Sequence, residues 1–175
     1  MKRILVLAAG LLLASSTAFA QLGATSPTGT LSVSVGAEAG LVVNTSVTTL
    51  ATVGTNFSPY TGTTNLTYYI RTSSTGSIVL EVTTDFHGTG GPSVGTPPTS
   101  GDALTYTCSM NAPMVACSGM QTASTGTTTS VASVTGASHS ALAGNTGSVA
   151  WSLTNDPVYA IGTYSATITY TISAT

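Results

Sequence analysis

Over residues 163–173 the chain alternates strictly. Tyr164, Ala166, Ile168, Tyr170 and Ile172 fall on one face, and Thr163, Ser165, Thr167, Thr169 and Thr171 on the other. Side chains two apart in a strand share a face, so this segment predicts a strand with one buried side. The same period runs through Val149, Trp151 and Leu153, through Leu66, Tyr68 and Ile70, and through Leu104, Tyr106, Cys108 and Met110. Ile78, Leu80 and Val82 repeat it, with Phe86 beyond them. Weaker alternation marks residues 31–35, 41–43, 47–53 and 131–134, and helical periodicity is nearly absent. Turn-forming residues separate these runs: Ser74-Thr75-Gly76, the Gly/Pro-rich stretch 87–101, Gly126, and Gly144-Asn145-Thr146-Gly147. Many short strands with such turns predict an all-β chain, specifically an immunoglobulin-like antiparallel β-sandwich.

The opening residues carry a different signal. Lys2 and Arg3 precede an apolar run over residues 4–13, and Ala18-Phe19-Ala20 has the small-x-small form of a cleavage site. We expect a signal peptide over residues 1–20, a run too short to span a bilayer at ~20 apolar residues. The expected mature chain is 175 − 20 = 155 residues, secreted or held at the cell surface, with periplasmic transit if the source is Gram-negative. No cysteine follows the cut, so no lipid anchor is expected, nor any membrane insertion after cleavage. Residues 21–40 form an N-terminal segment and residues 41–175 a single β-sandwich domain.

Only 5% of the residues are charged. After removal of Lys2 and Arg3, Arg71 stands alone against Glu38, Glu81, Asp85, Asp102 and Asp156, a formal charge of +1 − 5 = −4. One cation cannot neutralise a row of phosphates, which excludes nucleic acid as a partner. Thr, Ser, Gly and Asn supply the polarity. A disordered, glycosylated stalk would share that composition, but 42% hydrophobic residues in alternating order describe a folded chain.

Cys108 and Cys117 are the only cysteines. In an exported chain a close pair around the turn-forming Asn111-Ala112-Pro113 reads as a disulfide. A zinc site built from them with His87 and His139 has no matching spacing. Asp85, His87 and a serine could be drawn as a triad, but G-x-S-x-G is missing. Gly88 to Gly91 lacks the Lys-Ser/Thr of a phosphate loop. Glu81, Asp85, Asp102 and Asp156 offer oxygens for calcium without the D-x-D-x-D-G order. No catalytic, cofactor or metal residue is assigned, and the chain is not expected to be an enzyme. Trp151 is in phase with core positions. Tyr60, Tyr69 and Tyr159 fall off the apolar faces and could form an aromatic platform, which keeps a carbohydrate- or surface-binding module as the alternative reading. Asn44, Asn56 and Asn65 each open an N-x-Ser/Thr acceptor pattern, incidental if the source is bacterial.

The stretch 156–173, DPVYAIGTYSATITYTIS, resembles the closing strands of bacterial extracellular immunoglobulin-like domains, with Gly162-Thr163-Tyr164 opening a long alternating strand. Tyr164 would then act as a tyrosine corner. Among such families the two ends of the chain look most like the archaic chaperone–usher pilins and the spore coat U group. The early cysteine common in those pilins is missing here, and without a mature-chain lysine no Lys–Asn isopeptide bond can form. The resemblance implies a structural or adhesive surface subunit that self-associates, or joins other surface proteins, by β-strand addition. The candidate donor strand is Leu31, Val33, Val35, Ala37 and Ala39, and the candidate acceptor or core strand is Tyr164, Ala166, Ile168, Tyr170 and Ile172. The other reading makes residues 31–39 the first strand of their own domain.

Overall fold

The computed structural model describes residues 29–86, 88–95 and 104–175. It separates into two units, Met1–Ser34 and Val35–Thr175. The expected signal peptide, His87 and Asp102 lie outside the described residues. In the first unit residues 29–34 are described, and none of them is in a strand.

The second unit is an antiparallel β-sandwich with no helix among the described residues. Its strands are β1 (Glu38–Val43), β2 (Ala51–Thr52), β3 (Tyr60–Thr72), β4 (Thr75–Thr84), β5 (Leu104–Met110) and β6 (Val115–Ala116). They continue with β7 (Gln121–Thr122), β8 (Thr129–Thr135), β9 (Ser138–His139), β10 (Asn145–Leu153) and β11 (Thr167–Ala174). One sheet has the order β1-β3-β10-β5-β7, with β2 and β9 paired to the two ends of β3, and the other has the order β11-β4-β8-β6. Every pairing between these strands is antiparallel.

A tight turn between Thr72 and Thr75 takes the chain from one sheet to the other, so both sheets share a turn end. The β9–β10 turn and the start of β1 lie at that end, because Glu38 and His139 both pair with Arg71. The opposite, loop end carries residues 53–59 and 154–166, tied by Asn155 Nδ2 donating to Ser58 O at 3.1 Å.

The period-2 pattern is what fills the core. Leu66, Tyr68 and Ile70 of β3, Val149, Trp151 and Leu153 of β10, and Leu104 and Tyr106 of β5 point inward from the first sheet. Ile78, Leu80 and Val82 of β4 and Val131, Ala132 and Val134 of β8 meet them from the second. Burying each large apolar side chain contributes about 1.5–3 kcal/mol. The buried aromatics bring polar tips that need partners. Trp151 Nε1 donates to Thr64 Oγ1 at 2.9 Å, Tyr106 Oη to Thr129 Oγ1 at 2.8 Å, and Tyr68 Oη to Asn111 O at 2.5 Å.

Cys108 and Cys117 form a disulfide with Cα atoms 5.5 Å apart. Cys108 belongs to β5 in the first sheet, whereas Cys117 N donates to Val131 O of β8 in the second. The bridge therefore joins the two sheets across one side of the sandwich, where the chain also crosses from β6 to β7. That side is bridged by the disulfide and by the chain itself.

Candidate functional site: the open edge

The opposite side is built differently. β1 ends one sheet and β11 ends the other, and among the described residues no strand pairs with the outer edge of either. β11 spends its inner edge on β4, from Ile168 against Val82 to Ala174 against Gly76. Its other row of backbone N–H and C=O groups has no ladder partner among the described residues, the condition in which an edge recruits another chain.

Burial tells the same story. The inward residues of β4 are shut from solvent, yet Ile168, Tyr170, Ile172 and Ala174 of β11 are only half-buried, although all four pack against the core. Leu41, facing inward from β1, is half-buried too. An apolar row of this kind at a sheet edge has part of its surface left to cover. Tyr170 is the most telling member. Its Oη is enclosed without a hydrogen-bond partner, and burial pushes the phenol up to about 12, with the nearby Thr64 hydroxyl pulling slightly the other way. The Thr64 hydroxyl accepts from Trp151 Nε1 and meets Thr48 Oγ1 at 2.6 Å.

Sequence reading started this strand near Tyr164, but pairing begins at Thr167. Tyr164 is held in the preceding loop, where its Oη donates to Ala160 O at 2.8 Å. That bond closes on the chain four residues upstream. The ring lies so close over Gly91 that a Cβ there would sit 2.3 Å from Cε1. Ala166 keeps its inward phase outside the strand, and a bulge between Thr167 and Ile168 resets the register.

The candidate donor residues are divided. Ala39 lies in β1, paired with Ile70, so the sheet's own first strand takes in Glu38, Ala39 and Gly40. Residues 29–37 belong to no strand. There Leu31 is 99%, Val33 84% and Val35 62% exposed, and Ala37 is exposed as well. Three alternating apolar side chains facing solvent together need a reason. At the junction Arg71 reaches across from β3. Its Nε donates to Gly36 O at 2.9 Å and its Nη2 to Glu38 Oε2 at 2.7 Å.

Other singled-out residues do not converge. Asp85 accepts from Phe86 N, Val94 N and Ser93 Oγ and thereby orders its loop. Asp156 accepts from Val158 N, Glu81 lies opposite Thr169 in the ladder, and His139 is exposed beside Arg71. Tyr60 and Tyr69 sit nine positions apart on β3, roughly 30 Å at ~3.3 Å per residue, so they share no platform. Sequence reasoning missed Thr64, although its phase with Leu66 and Tyr68 marks it as inward-facing. It also missed the double hold of Arg71, for which no local pattern exists. In comparisons with known proteins, neither a family model, a curated protein nor a solved structure matches the chain.

Proposed function

We propose that the protein is an exported structural subunit of a surface assembly, polymerising by β-strand addition in the manner of an immunoglobulin-like pilin. The free N-terminal segment of one copy lies along β11 of the next. The observation that carries this reading is a matched pair of defects in one chain. An apolar alternating segment lies outside any sheet, and an edge strand has a half-covered apolar row. Residues 29–36 number eight and β11 has eight residues, so the two match in length. Leu31, Val33 and Val35 would cover Ile168, Tyr170 and Ile172, while main-chain hydrogen bonds supply register-tolerant affinity. Export accounts for the disulfide and for the signal-like opening residues.

Replacing Val33 and Val35 together by Asp tests it, since two carboxylates would be driven into an apolar seam. The variant is expected to keep the wild-type circular dichroism and melting temperature but to stay monomeric by light scattering where wild type associates. A wild type that is monomeric at every concentration, or a variant that assembles as well, would sink the proposal.

A further inference from the structure

The two ends of the sandwich carry exposed apolar residues that neither the core nor the open edge uses. At the loop end Val53, Phe57, Val158 and Ile161 are all largely exposed, on the two loops joined by the Asn155–Ser58 hydrogen bond. Phe57 is held at φ +58° within a turn closed by Ser58 N donating to Thr55 O at 3.1 Å. That backbone region favours glycine, and an aromatic placed there to face water gains nothing in an isolated subunit. At the turn end Leu142 is fully exposed on the turn closed by Gly144 N donating to Ala141 O.

We infer that these ends form a second interface between successive copies: the loop end of one subunit, around Phe57 and Ile161, receives the turn end of the next, around Leu142. The inference rests on the strand-docking reading above and follows from chain length and direction. β1 and β4 run from the turn end to the loop end, so β11, antiparallel to β4, runs back toward the turn end. A docked strand antiparallel to β11, the commoner and slightly more stable pairing, enters at the acceptor's turn end and leaves at its loop end. Its last residues are followed after Ala37 by Glu38, the first residue of β1 in the donor's own sandwich. One residue leaves no linker, and Arg71 holds the chain on both sides of that residue, at the Gly36 carbonyl and the Glu38 carboxylate. The donor's turn end must therefore abut the acceptor's loop end. The apolar residues found at the two ends are the ones such a contact would cover; of the charged groups there, Arg71 and Glu38 pair with each other and Asp156 accepts from Val158 N.

Cysteine pairing reads the contact directly. Leu142→Cys and Phe57→Cys in one full-length chain, treated with a short bismaleimide, should give a ladder of dimers and higher species. Either substitution alone should not, and adding the two Asp substitutions at Val33 and Val35 should abolish the ladder. In parallel, Phe57→Ser with Ile161→Ser should raise the concentration at half-assembly by roughly tenfold or more. Binding of a synthetic peptide spanning residues 29–40 should remain unchanged. Assembly without a ladder, or an unshifted half-assembly concentration, would overturn the end-to-end contact while leaving strand docking intact. Absence of any assembly would overturn both.

Discussion

At the scale of single residues, the tyrosines are where pH acts on this protein. Burial raises the phenols of Tyr68 and Tyr106 and carries Tyr170 to about 12. In the unfolded chain a tyrosine ionises near pH 10, so between pH 10 and 12 the unfolded state holds fewer protons than the folded one. Stability then falls as pH rises, by up to about 2–3 kcal/mol for Tyr170 alone. Below pH 10 both states keep the proton, and a chain with so few charged residues offers little else to titrate. Melting temperature should be nearly flat from pH 5 to 9 and drop steeply above 10, as a calorimetric pH series would show. A steep change near neutrality would contradict this. The cysteines make the second residue-level prediction. Mass spectrometry after alkylation should show no modified thiol in the unreduced protein and two after reduction, because Cys108 and Cys117 hold each other. The loop closed is short, with a separation of 9 residues, and loss of the bridge should cost about 2–3 kcal/mol.

At the scale of elements, the strongly alternating segments were legible and the edges were not. β3, β4, β5 and β10 follow from period-2 runs whose inward residues are the core. Pattern suffices there because a one-residue slip would turn every apolar side chain to water. Residues 47–53 alternate weakly, but only Ala51 and Thr52 pair. β9 carries no apolar signal, and its pairing with Arg71 and Thr72 comes from position alone. Residues 31–35 show that alternation by itself does not place a segment in a sheet, since they alternate yet belong to no strand. The pattern records that one face wants burial, not which chain supplies it. The break comes at Glu38, where Arg71 joins the ladder, and no residue in the sequence announces it. Burial grades are likewise invisible in sequence: Ile168 and Ile78 are equivalent letters, yet one is half-covered and the other enclosed.

At the scale of the whole molecule, the sandwich is bridged on one side, and on the other β1 and β11 lie near each other without pairing. The disulfide and the β6–β7 crossing link the far side, whereas β1 and β11 leave a seam with half-buried apolar side chains and, among the described residues, no ladder bonds across it. On the strand-addition reading proposed above, such a chain is a subunit with an apolar segment to give and an edge to receive. Hydrogen–deuterium exchange on β11 tests that most directly. In dilute monomer the amides of residues 167–174 that point away from β4 should exchange quickly. On assembly, or on adding a peptide spanning residues 29–40, they should slow by about a hundredfold or more as new ladder bonds form. Core amides of β3 and β10 should stay unchanged. If the outer amides of β11 are already slow in the monomer, or remain fast in the assembled protein, the seam is not where subunits join.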